Sequence, residues 1–328
     1  MPKVPKDFDK SLPSISQLPS TYLVSLTHYS AISLHGDDKT SYLQGQITCD
    51  VNSVNEHSLQ VGAHCNAKGK TFSVFRLINR NNAHLLIQPN SSITASMAEL
   101  KKFGVFSKVD ITQTNELSFY ALVGEQASTL LQANFAQIPD SLTPVIHSNG
   151  TTLVYISGKQ TRYLLIDEIE KLATKLEQFN LTTYSAPVWD LLEISEGFVQ
   201  LTEQTSGEYV PQMLNLQAIN GISFTKGCYL GQETVARMQY LGKNKRALFS
   251  LTFKTNQTIS IDEVIEKQLG DNWRKAGDIL AHYQSEDGNG YVQAVLGSDI
   301  DTTTQLRLKS QPNIKVSVQA LPYSLIPE

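Results

Sequence analysis

Along the chain, apolar and polar positions follow two patterns that change near residue 243. From Tyr22 onward, strand-like runs alternate with helical ones. Tyr22–Ser33 reads as strand, and Lys39–Gln44, after Asp37 and Asp38, reads as a short capped helix. Gly62 to Ile78 predicts two strands around a turn at Asn66–Gly69, continued by a strand at His84–Gln88. Ser92–Lys102 predicts a helix that Gly104 stops. The same grammar then repeats. Leu117–Val123 is a strand and Glu125–Phe135 a helix. Thr152–Ser157 with Tyr163–Ile166 is a hairpin, and Glu168–Phe179 is a strongly helical run. Pro187–Glu196 gives a further helix carrying Trp189, Leu191, Leu192 and Ile194.

Beyond Gly242 the helical period disappears. Phe249/Leu251/Phe253, Tyr291/Gln293/Val295, Leu306/Leu308 and Ile314/Val316/Val318 all repeat with period two, separated by Gly and Asn/Asp turns, which predicts a small β-barrel. Three segments follow. Residues 1–21, with four prolines, read as a flexible arm; 22–242 as an α+β region of two subdomains, not necessarily continuous in sequence; and 243–328 as the barrel. Strands interrupted by packed helices, twice over, argue for α+β sheets rather than a TIM barrel.

Composition narrows the function. Of 328 residues, 27 are Lys or Arg and 31 Asp or Glu, a formal charge of −4, and 41% are hydrophobic. This is a globular composition without the basic excess of a dedicated nucleic-acid binder. No apolar stretch approaches the ~20 residues of a spanning helix, and the first residues lack the apolar core of a signal peptide; a cytoplasmic protein with no membrane contact is expected. Three cysteines, Cys49, Cys65 and Cys228, without any C-x-x-C, argue against a disulfide framework. No metal site is expected.

The most informative stretch is Asn220–Arg237. Gly221, Gly227 and Gly231 punctuate a loop, Gln232–Tyr240 reads as a helix closed by Gly242, and Glu233 and Arg237 are spaced to pair. Cys228 therefore falls on a loop ahead of a helix N-terminus, two residues after Lys226. An ammonium and a helix start both favour a thiolate, lowering a thiol pKa from ~8.5. In an open loop Cys228 would be a nucleophile, redox sensor or transient ligand; in a closed one, a small packing residue. Trp189 suits core packing or a stacking platform. Glu196, seven positions on, lies near the same helix face, and an aromatic beside a carboxylate suits a flat heterocycle with N–H donors as well as it suits a solvated helix end. Lys68 and Lys70 flank a turn that could hold an anion or merely face water. Cys49 and Cys65 read as packing residues.

Lys226-Gly-Cys-Tyr-Leu-Gly-Gln-Glu233 resembles the K-G-C-Y-x-G-Q-E signature of the YgfZ family of folate-binding proteins. Tyr42–Asp50 and Ala63–Lys70 also resemble family segments. The resemblance implies a fold like that of the glycine cleavage T-protein: α+β subdomains around a central cavity, plus a C-terminal β-barrel. It implies a tetrahydrofolate derivative as cofactor, support of tRNA methylthiolation, maintenance of iron–sulfur enzymes, and those tRNA-modifying enzymes as partners. Carried residue by residue, Lys226, Gly227, Cys228, Tyr229, Gly231, Gln232 and Glu233 match the signature, with Cys228 the functional thiol. Trp189 matches a tryptophan implicated in folate binding, Tyr29 stands where the family has an earlier tryptophan, and Glu196 resembles a pterin-binding glutamate of the T-protein relatives.

One departure bears on activity. T-protein relatives carry adjacent aspartates on the strand after the turn at Gly69, whereas Lys70–Arg76 here has no carboxylate. Without an acid to polarise a substrate amine, glycine-cleavage activity is not expected. Three readings remain open: a folate-binding accessory factor in which Cys228 serves partner contact or cluster repair, a folate-dependent one-carbon transferase using Cys228, and a redox-sensing interaction protein. The accessory reading is preferred; direct RNA contact is left open.

Overall fold

The computed structural model describes residues 8–242 and 244–325. β1 (Thr21–Ser25) and β2 (Tyr29–His35) open the fold and part company, each entering a different sheet. After β2 come α1 (Lys39–Gln44), β3 (Gln60–Cys65), β4 (Thr71–Arg80), β5 (Ala83–Pro89), α2 (Asn90–Gly104) and β6 (Asp110–Gln113). These strands make an antiparallel sheet in the order β3-β4-β5-β2-β6. Period-two alternation divides its residues: Ile32, Leu34, Phe75, Leu77 and Leu86 face α1 and α2, while Ala31, Leu85 and Ile87 face the other way.

The second sheet is built from β7 (Leu117–Gly124), α3 (Ala127–Asn134), β8 (Val145–Ser148), β9 (Thr151–Ile156), β10 (Arg162–Glu168), α4 (Ile169–Glu177) and β11 (Thr183–Tyr184). Its order is β11-β1-β7-β10-β9-β8, antiparallel except where β11 pairs with β1. One core joins both sheets. Val24, Ala121, Val123, Leu164 and Ile166 meet Ala31, Leu85 and Ile87, and α5 (Pro187–Ser195) adds Val188, Trp189 and Leu192. α6 (Gln232–Tyr240) follows a long loop with two short 3-10 turns.

The remaining strands, β12 (Arg246–Lys254), β13 (Val264–Leu269), β14 (Asn272–Gln284), β15 (Asn289–Gly297), β16 (Leu306–Leu308) and β17 (Lys315–Val318), close into a barrel in the order β12-β15-β14-β13-β16-β17. Closure removes free strand edges. Phe249, Leu251 and Phe253 fill the interior, but on β15 it is Val292, Ala294 and Leu296 that do so. Tyr291, Gln293 and Val295, the alternation visible in the sequence, form the opposite face, which docks onto the body. Val295, with Leu248 and Leu280, packs against Leu201, Leu214 and Val235, and Tyr283 packs against Leu191 and Ile194. Gln293 Nε2 donates to the carbonyls of Glu193 (3.2 Å) and Phe198 (2.9 Å).

The expected arm differs from its reading. Residues 1–7 lie outside the described residues, but from Phe8 the chain is a packed strap. The Asp9 amide bonds Thr183 O at 2.8 Å, and the Tyr283 hydroxyl donates to Pro13 O at 2.7 Å. Proline's missing N–H removed any strand signature without removing these long-range carbonyl contacts. Among the described residues no helix is long and apolar enough to cross a membrane.

Candidate functional site

A cavity of about 840 Å³ opens where β4, the β9–β10 hairpin, the end of α5 and the C-terminal segment converge. Leu59, Val61, Ile156 and Ile219 supply apolar wall, and Tyr155, Phe198 and Tyr323 supply aromatic wall. Arg76, Lys159, Arg162 and Glu196 supply the charge. A volume of this size with few convergent polar groups is that of a small-molecule site.

The charges are organised by one buried carboxylate. Glu193, on the apolar α5, is fully buried and accepts two bonds from Arg76 (Nη1 2.8 Å, Nη2 3.0 Å) and one from Arg162 Nη1 (2.8 Å). β4 brings Arg76 and β10 brings Arg162. Two cations against one anion leave an excess positive charge on the cavity wall. The Arg76 guanidinium also stacks 3.8 Å from the Phe198 ring centroid. Arg162 Nε is buried and without a hydrogen-bond partner.

Glu196 caps α5 and is buried at the cavity. One oxygen accepts from the Lys159 amide at 2.8 Å, while Oε2 is buried without a partner. Gly158 permits this approach, since a Cβ there would lie 2.7 Å from Glu196 Oε1. The Lys159 ammonium ties Ser195 O (3.2 Å) to Ala320 O (3.1 Å), and the Tyr323 hydroxyl donates to Gly197 O at 2.7 Å. The C-terminal segment is thereby held against the cavity beside Glu196. Burial pushes the Tyr323 phenol up to about 12, keeping it a donor.

The other residues singled out in the sequence lie elsewhere. Trp189 is 0% exposed and offers the cavity no face; its ring sits 5.1 Å from the Arg162 guanidinium and 5.8 Å from that of Arg76. Tyr29 is likewise buried, edge-on to His28. α5 turns its apolar face into the core, and the guanidiniums that line the cavity lie beside the tryptophan's ring. Trp189 Nε1 and Tyr29 Oη are nevertheless buried without hydrogen-bond partners.

Cys228 is exposed but is not among the residues lining the cavity. The chain leaves the wall at Asn220 and docks on the α1–β3 connection. There Ser223 N bonds Thr48 O (2.9 Å), Leu230 N bonds Gly45 O (3.0 Å), and Thr48 Oγ1 donates to Gly221 O (2.6 Å). Lys226 Nζ donates to Ile47 O (2.8 Å) and Cys49 O (2.7 Å) and lies 5.2 Å from the centroid of the buried Tyr229 ring. Its ammonium, expected as the partner of the Cys228 thiol, is thus committed to the α1–β3 connection, and burial lowers its pKa to about 8. Gly231 is in the left-handed region (φ 82°), and a Cβ there would lie 2.4 Å from Asn66 O; this close crossing nests the loop against the β3–β4 turn. Lys226, Tyr229 and Gly231 build the loop, whereas Gly227 and Cys228 are presented outward. Gln232 and Glu233 begin α6, and among the described residues no ion pair joins Glu233 to Arg237. Burial pushes the Cys49 and Cys65 thiols up to about 12.

Comparison with known proteins gives the family. Residues 244–311 match the family model described as YgfZ, beta-barrel domain. The chain is 62% identical over 319 residues to the tRNA-modifying protein YgfZ of Colwellia psychrerythraea, covering 97% of this chain and 98% of that one. It is 39% identical to the protein of the same name from Yersinia enterocolitica, with 94% of each chain covered. The chain belongs to the YgfZ family. Glycine cleavage system aminomethyltransferase T from Bartonella henselae superposes with a TM-score of 0.69 over 95% of this chain and 86% of its own, at 15% identity. The chain therefore has the T-protein fold, α+β with a C-terminal barrel, as its signature implied.

Arg76, Lys159, Arg162, Glu193 and Tyr323 were not singled out as site residues. The available signal was charge inside apolar runs: Arg76 within a β4 run of Phe, Val, Leu and Ile, Arg162 opening β10, and Glu193 between Leu192 and Ile194. Such charges are buried only when paired.

Proposed function

We propose that this chain binds a reduced folate in the cavity and acts as an accessory factor in tRNA modification, supporting methylthiolation and the upkeep of the iron–sulfur enzymes that perform it. The observation that carries the ligand reading is the unpartnered, buried Glu196 Oε2 in a cavity with excess positive charge. Glu196 would accept from the N–H edge of a pterin, the aromatic walls would hold its ring, and Lys159, Arg76 and Arg162 suit an anionic tail. Bound tetrahydrofolate would supply a one-carbon carrier. The tRNA role follows the name borne by relatives that match nearly the whole chain, and a cytoplasmic site of action goes with it.

Two observations favour assistance over turnover. β4 offers no carboxylate between Lys70 and Arg76, and Cys228 does not line the cavity, which disfavours the thiol as a direct acceptor from folate. Its exposure suits contact with a partner or a cluster. Calorimetry with tetrahydrofolate tests the site: Glu196→Gln should weaken binding about tenfold, the loss of one charge-assisted bond, and unchanged affinity would sink the assignment. Nucleoside profiling of tRNA from a deletion strain tests the role. Complementation with Cys228→Ser should leave methylthiolated nucleosides depleted, whereas full restoration would refute a functional thiol.

A further inference from the structure

After Glu233 the next carboxylate in the sequence is Asp262, and between them stand five cations, Arg237, Lys243, Lys245, Arg246 and Lys254. In a chain of net charge −4 this is a local reversal of sign. Arg237 and Lys245 are exposed and, among the described residues, neither is in an ion pair. Arg246 is partly spent on Val295 O. At the same place two large apolar residues face water: Tyr240 is 67% exposed and Leu241 84%. An edge-to-face contact with Phe224, centroids 6.2 Å apart, steadies the Tyr240 ring, and Phe224 belongs to the loop that presents Cys228.

Unpaired cations within five residues of an exposed, steadied aromatic ring match the chemistry of an unpaired nucleic-acid strand. Phosphates meet the cations and a base stacks on the ring. An acidic protein surface would also use the cations, but it gives no reason for an exposed tyrosine among them. A second apolar stretch, Phe103 to Phe106 at the end of α2, is weaker: Lys102 is paired with Glu99, and Asp38 accepts from the Lys108 amide.

We propose that α6 and the segment following it form a contact surface for unpaired RNA, with Tyr240 as the stacking platform and Arg237 and Lys245 as phosphate contacts. This rests on the tRNA reading above, and it sets the RNA against the element that begins four residues after Cys228.

The test is fluorescence anisotropy with the full chain and two fluorescein-labelled RNAs, a hairpin with an unpaired loop and a blunt duplex of equal length. The hairpin should bind more tightly than the duplex, with affinity falling as salt rises. Tyr240→Ala should weaken hairpin binding about tenfold, and Tyr240→Phe should restore it. In the Arg237→Gln/Lys245→Gln variant the slope of log affinity against log salt should shrink by about 1.4, at about 0.7 per phosphate contact. The inference is overturned if the hairpin binds more weakly than on the order of 100 µM at low salt, or if the duplex competes equally. It is also overturned if Tyr240→Ala binds like wild type, or if Lys101→Gln/Phe106→Ala abolishes binding instead. Folate calorimetry on the same preparations separates the two proposals. Protein that binds folate but no hairpin overturns only this one, and protein that binds the hairpin through Tyr240 but no folate overturns only the ligand reading.

Discussion

Glu193→Gln is the most demanding test of the buried charge cluster. The substitution keeps side-chain volume, so it opens no cavity, but it strips the paired carboxylate from two guanidiniums that are 4% and 2% exposed. The amide has one acceptor oxygen where three charge-assisted bonds ended at 2.8, 3.0 and 2.8 Å, and its NH₂ opposes further donors. Stranding a partner of a buried pair costs about 3–5 kcal/mol. At about 1.5 °C per kcal/mol for a chain of 328 residues, the melting temperature should fall by about 4–8 °C. Arg162→Met is the informative companion. It leaves Glu193 its two bonds from Arg76 and a neutral pair, so the loss should be nearer about 1.5–3 kcal/mol. Urea unfolding at neutral pH measures both. A Glu193→Gln loss below about 1 kcal/mol, the range of exposed pairs, would refute the reasoning, as would a loss that high salt erases.

Three other outcomes are expected. Iodoacetamide near neutral pH should label Cys228 and leave Cys49 and Cys65 untouched until urea unfolds the chain; mass spectrometry finding Cys49 or Cys65 labelled in the native protein would contradict their burial. His64 is fully buried beside Ser96, and burial lowers its pKa from 6.5 to about 4, so the unfolded state takes up a proton in that window that the folded state refuses. Stability should therefore drop as pH falls from about 6.5 towards 4, by on the order of 3 kcal/mol from this residue. A His64→Asn variant should show a shallower acid slope in urea midpoints, and an identical slope would exclude the histidine. Lys226→Met should remove two bonds from the α1–β3 connection and cost about 1–3 kcal/mol, with faster amide hydrogen exchange at Ser223 and Leu230; unchanged exchange would show that the lysine does not hold the loop.

Much of the fold was legible because it is locally encoded. α1 spans Lys39–Gln44 as its pattern indicates, and the turn at Asn66–Gly69, the β9–β10 hairpin and the helix after Gly231 follow from residues only a few positions apart. What local pattern could not reveal was long-range meeting. Arg76, Arg162 and Glu193 come from three elements and pair only once two sheets and α5 are packed. Gln293 reads as one member of a period-two run, and nothing nearby says that its face is the docking face. Trp189 and Glu196 were expected to work side by side on one helix, yet the helix end parts them: the tryptophan turns into the core and the glutamate caps the last turn at the cavity. Lys226 is two residues from Cys228 in sequence, but its length lets it reach carbonyls on another segment. Neighbours in sequence therefore misled most where a side chain was long or an element ended.

The barrel's outer face carries a final implication. Its recognisable sequence unit, residues 244–311, holds five of the six strands of a closed ring and invites treatment as a detachable part. Yet Leu248, Leu280, Val295 and Tyr283 belong to cores shared with the body, and Gln293 is sewn to two of the body's carbonyls. Excised, that ring would carry a greasy flank into water, and the remainder would lose the support beneath the helix that bears Glu193. The heritable segment and the mechanical unit do not share a border here, and any dissection of the molecule has to cut along the second.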